Sequence, residues 1–128
     1  MDTEATDRAQ GANIDLKVIR ANQFVLEDDN GKTRAVLDVA KDGVPGLYMY
    51  DDNGTPRAML GVSNYGSVLA LCDQNGKTLV SLTVSNDGSS LRLADDHGKP
   101  RVRLEVGNDG VPGLALLYQN GVKIWSKP

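Results

Sequence analysis

An all-β fold of five tandem β-hairpins is predicted by three features of this chain. It carries a repeat of 22 to 23 residues, a turn glycine in every unit, and apolar residues alternating around each turn. The segments DDNG, DDNG, DQNG, DDHG and YQNG end at Gly31, Gly54, Gly76, Gly98 and Gly121, spaced by 23, 22, 22 and 23 residues. A second glycine follows twelve residues after each of the first four: Gly43, Gly66, Gly88 and Gly110. Leucine recurs six residues after the turn glycine (Leu37, Leu60, Leu82, Leu104) and valine eight after (Val39, Val62, Val84, Val106).

Asn-Gly between alternating segments is a strong hairpin signal, because a two-residue type I′ turn needs φ > 0 at both loop residues. With Asn30 and Gly31 as the loop, Leu26 faces Ala35 and Phe24 faces Leu37. The same register sets Met49 against Ala58, Leu47 against Leu60, Leu71 against Val80 and Leu69 against Leu82. It also pairs Leu93 with Val102, Leu91 with Leu104, and Leu116 with Trp125. Every pair is apolar, and a slip of one residue would scramble them all. Across from Glu27 this register places Arg34, and across from Tyr50 it places Arg57, an ion pair and a cation–π pair in expectation. Cys72 falls beside Leu79.

Residues 1–15 are polar and are expected to be disordered, leaving 16–128 as a single hairpin-repeat domain. The segment LKVIRANQFVLED reads as one long extended strand with a break at Ala21–Gln23. No stretch has helical periodicity, so almost no helix is expected.

Such a sheet has a Leu/Val face that cannot remain in water, since full burial of each such side chain gains roughly 1.5–3 kcal/mol. Without a helix to cover it, three solutions remain: a solenoid, a closed barrel, or several chains packing their faces around a common axis. Pro56 and Pro100, two residues after their turn glycines, lack the N–H that a further strand would need. The hairpins are therefore not expected to join into one ladder at that end, which disfavours the barrel. The favoured architecture is an intertwined homotrimeric β-prism or β-spiral, with a solenoid-like array second. The self-association core would be Leu37, Leu47, Leu60, Leu69, Leu82, Leu91, Leu104 and Leu114. Tyr48, Tyr50 and Met59, on the other face, form a candidate second interface.

The five turn glycines, the second glycine series and the Leu and Val columns resemble the shaft repeats of trimeric viral and phage fibres. That resemblance spans about residues 16–128 and implies a structural, fibre-like role, with a virion as one setting. The segment VIRANQFVLEDDNGKTRAVL also resembles hairpin repeats of bacterial proteins without an assigned activity.

Composition narrows the function classes. The net charge is −3, so no domain-wide basic field draws phosphate backbones and nucleic acid is not expected as a partner. Cys72 is the only cysteine, which excludes an intramolecular disulfide and a multi-thiolate zinc site. No apolar run reaches membrane-spanning length and no secretory leader is visible, so membrane insertion is not expected and the cytoplasm is the default compartment. The Asp-rich turns offer calcium-type oxygen ligands, but the EF-hand spacing is absent, and Asp and Asn suit tight turns for backbone reasons. A calcium-dependent adhesion array is one alternative; a small barrel binding an apolar small molecule is another. His97 occupies the Asn position of the fourth turn and has no nucleophile at a reasoned distance. We therefore expect no catalysis, no cofactor and no metal, and a non-catalytic module that self-associates through the Leu/Val face.

Overall fold

The computed structural model describes residues 17–127; the tail expected over 1–15 lies outside them. Ten strands follow in chain order: β1 (Gln23–Glu27), β2 (Thr33–Val39), β3 (Pro45–Tyr50), β4 (Pro56–Ser63) and β5 (Gly66–Cys72), then β6 (Thr78–Ser85), β7 (Gly88–Ala94), β8 (Pro100–Gly107), β9 (Pro112–Leu117) and β10 (Lys123–Lys127). They form one antiparallel ten-stranded sheet in which spatial order equals chain order. No helix occurs among the described residues. Each strand contacts only its neighbours in sequence, so the described residues supply no second layer.

All the apolar pairs expected from the sequence are present, from Phe24 opposite Leu37 to Leu116 opposite Trp125. The turns, however, are not type I′. No described residue other than glycine has positive φ, so Asn30 and His97 are not left-handed. Instead the Gly31 N–H donates to Asp28 O (2.9 Å) and the Asp28 N–H to Lys32 O (2.9 Å). This is a type I turn followed by a glycine bulge, with Gly31 at φ 75. The extra residue is absorbed between Leu26 and Glu27, so the apolar pairs are unaffected while the pair next to the turn shifts. Glu27 therefore faces Thr33 rather than Arg34, Tyr50 faces Pro56 rather than Arg57, and Cys72 faces Thr78 rather than Leu79.

The opposite end of the sheet explains the alternation of repeat length. Ala40 and Val44, and likewise Gly107 and Val111, close bulged turns by N–H···O bonds of 2.9 and 3.1 Å. Between them Ser63 pairs directly with Gly66, and Ser85 with Gly88, leaving two-residue loops. The 23-residue units are those with the bulged return turn, and the 22-residue units those without.

The hairpins join into one continuous sheet, and the ladder between them stops short of the Asn-Gly end, as expected from the prolines. The ladder from β4 to β5 begins at Ala58 and that from β8 to β9 at Val102. Pro56 and Pro100 thus pair only within their own hairpins, with Tyr50 and Ala94, where no outward N–H is required. The first strand is shorter than expected, since Lys17–Asn22 precede it outside the ladder. β1 and β10 are the two free edges, so the sheet does not close, and the barrel with an apolar lumen is ruled out for this arrangement.

Candidate functional site

Side chains alternate across a strand, so every second residue shares a face. On one face an unbroken cross-strand row runs through Leu37, Leu47, Leu60, Leu69, Leu82, Leu91, Leu104 and Leu114. Phe24 extends it onto β1 and Lys127 ends it on β10. At about 4.8 Å per strand the row is roughly 43 Å long. It is flanked on the turn side by Leu26, Ala35, Met49, Ala58, Leu71, Val80, Leu93, Val102, Leu116 and Trp125. On the other side lie Val39, Pro45, Val62, Ser67, Val84, Ser89, Val106 and Pro112. All eight predicted core leucines are thus brought together on one surface, and none is buried. Leu37, Leu60, Leu69, Leu82 and Leu104 are 42–50 % exposed, and the other three are intermediate.

Among the described residues the only buried hydrophobic side chains lie on the opposite face, both on the central strand β5: Ala70 at 3 % and Cys72 at 8 % exposure. Ala70 sits in register between Met59 and Ser81. Tyr48, opposite Met59, lays its ring over Gly46, where an added Cβ would come within 2.7 Å of the ring. Tyr48 and Met59 are half-buried neighbours, whereas Tyr50 stands at the strand end against Pro56. The candidate outer-face patch is therefore a pair with a more distant third member. Cys72 Sγ lies 3.5 Å from Thr78 Oγ1.

The turn row has its own chemistry. In the first four units the first Asp of the turn accepts two backbone N–H bonds on Oδ1: Asp28 from Asn30 and Lys32 (2.9 and 3.1 Å), Asp51 from Asn53 and Thr55 (2.9 and 3.0 Å). Asp73 and Asp95 repeat the pattern. These bonds, that from the residue four places on above all, hold the four carboxyls below the ordinary aspartate range. An arginine three residues after the turn glycine adds a clamp in three units. Arg34 reaches Asp28 (3.4 Å) and Asp52, Arg57 reaches Asp51 (3.4 Å), and Arg101 reaches Asp95. Arg57 Nε also donates to Cys72 O at 3.0 Å, tying the second hairpin to the third. The partners expected for Arg34 and Arg57 were Glu27 and Tyr50; the bulge re-aims both towards the turn.

Oδ1 of each of these aspartates is thus committed to the backbone. Among the described residues no group of three or more His, Cys, Asp or Glu is placed to hold a metal ion. His97 is exposed, 3.8 Å from the Asp96 carboxylate. The chain matches no protein-family model and no curated protein sequence.

Proposed function

We propose that the chain is a non-catalytic structural module that self-associates through its leucine face, three copies forming a shaft-like prism. The observation that carries this reading is the uncovered apolar face running the full length of the sheet. The accessible surface is 10153 Å², where a folded monomer of this mass exposes on the order of 6,600 Å². Setting residues 1–16 aside at the roughly 2,500 Å² of an extended segment, the remainder still exceeds by about 1,700 Å² the roughly 6,000 Å² that a folded chain of the remaining mass exposes. A standard interface buries about 800 Å² per partner, so the excess suits an obligate assembly. Completing the burial of half-exposed leucines is worth on the order of 1 kcal/mol each.

Three copies fit the profile of the face. In a triangular prism the middle of each side has the most room, while neighbouring sides converge at the corners. The middle row is leucine throughout, and the rows beside it carry smaller Ala, Val, Ser and Pro at many positions. Every strand except the edge strands β1 and β10 already finds both neighbours in its own chain, so exchange of inner strands between copies is not needed. Light scattering after size exclusion should give a mass near three times 13.7 kDa. A monomer at every concentration contradicts self-association; a stable dimer keeps it but replaces the prism with a two-sheet sandwich.

A further inference from the structure

We infer that the face opposite the leucines carries an oxyanion-binding site between Arg92 and Arg103. Along the register line through Val36, Tyr48, Met59 and Ala70 the character changes at β6: the next residues are Ser81, Arg92 and Arg103. Arg92 and Arg103 are direct cross-strand partners. Directly opposed residues have Cβ atoms about 5 Å apart, and like charges so placed repel. The fold does not relieve this fully. Arg103 is bonded to Glu105 at 2.7 Å, while Arg92 has no acidic partner among the described residues. The third arginine of this unit, Arg101, is neutralised by Asp95 on the turn side and takes no part.

The surroundings suit an anion's oxygens. An open groove over β6, β7 and β8 is lined by Ser81, Thr83 and Ser90 as well as by the two arginines. Ser90 is in register with Thr83 on one side and Glu105 on the other. Three hydroxyls and two guanidiniums thus line one stretch of surface, and the line that carries the arginines holds Val36, Tyr48 and Met59 in the first two hairpins. Guanidiniums bind carboxylate and phosphate through paired N–H donors, and a shared anion would turn the Arg–Arg repulsion into attraction. The ligand class is an oxyanion: a phosphate or sulfate group, or a carboxylate. Because this face points away from the leucines, the site stays open in the proposed assembly and does not depend on it.

The test is a titration of the whole protein with sodium phosphate, sodium sulfate and sodium acetate at constant ionic strength, followed by the arginine Nε–Hε resonances. Saturable shifts at Arg92 and Arg103, with Arg101 still, are expected. Phosphate or sulfate saturating first identifies a tetrahedral anion, and acetate saturating first a carboxylate. Arg92→Ser, which copies the neutral character of the line at Ser81, should weaken binding about tenfold or more. It should also raise the melting temperature in anion-free buffer, because the like-charge pair is gone. Shifts that grow linearly for all three salts, or that are equal at Arg101, would overturn the site. So would a variant that binds as well as the parent.

Discussion

On the leucine face one residue type returns on eight consecutive strands. On the other face the corresponding line passes from valine through tyrosine, methionine and alanine to serine and two arginines. The regular face is the exposed one, and the irregular face holds the only two buried hydrophobic side chains among the described residues. Regularity along the sheet axis is therefore not a record of packing inside this chain. It suits a surface that must match an equally regular partner, level by level. The irregular face is free to differ from unit to unit, and there local clusters form.

The largest effect expected from this contrast follows a charge placed in the middle of the regular face. Leu69→Asp should reduce the scattering mass to that of one chain, 13.7 kDa, because an unpaired charge cannot enter a dry interface. Ser81→Asp, on a neighbouring strand but the opposite face, should leave the mass unchanged. If both variants dissociate, the two faces are not functionally distinct.

A second contrast separates the two kinds of glycine. At Gly54 (φ 77) an added Cβ meets nothing within 4 Å, so Gly54→Ala costs only the left-handed conformation, roughly 1–2 kcal/mol. At Gly88 (φ 121) it would lie 2.0 Å from Val106 O, and at Gly66 (φ 148) 1.9 Å from Val84 O. Each of these glycines opens its strand hard against the backbone of the next strand in the sheet. Thermal unfolding should show Gly88→Ala losing clearly more stability than Gly54→Ala; equal losses would mean that the return loops relax.

These details mark what could be read from the residues and what could not. The register was legible because nine apolar pairs agree on it, and a bulge beside the turn leaves all nine in place. For the same reason the turn type was hidden. A two-residue loop and a bulged three-residue loop differ only at Glu27, Tyr50, Cys72, Ala94, Leu117 and their partners, none of which belongs to those nine pairs. The two repeat lengths were visible but became intelligible only with the return turns in view. The leucine row was legible as a set, yet alternation identifies a face without naming what covers it. The clamps of Arg34, Arg57 and Arg101 on the turn aspartates were missed. A signal existed: arginine recurs three residues after the turn glycine in those three units, with leucine in the third and isoleucine in the fifth.

The turn aspartates provide a smaller, pH-dependent effect. Asp28, Asp51, Asp73 and Asp95 have folded-state values below their unfolded ones. Their contribution is present above the ordinary carboxylate range near pH 4 and is lost as pH falls through the lowered values. Melting temperature should therefore be insensitive to these groups near neutrality and drop below about pH 4. Replacing all four by Asn, whose Oδ1 still accepts both N–H bonds, should flatten that drop. The fifth turn opens with Tyr118 and does not contribute to it. The smallest effect is expected from Asp73→Asn alone, or from a chelator at neutral pH, neither of which should shift the melting temperature appreciably. Strong destabilisation by the chelator would instead indicate a calcium-dependent array.

The central claim, that the leucine face is covered by copies of the same chain, is tested most directly by a filtered nuclear Overhauser experiment. Chains labelled on the alanine, leucine and valine methyls are mixed and refolded with unlabelled chains, and only contacts between different chains are recorded. Cross-peaks from the methyls of Leu60, Leu69, Leu82 and Leu91 to protons of another chain are predicted, with none from Val36 or Ala70 on the opposite face. Leucine methyls without intermolecular cross-peaks, in a sample whose mass is that of a single chain, would contradict the account.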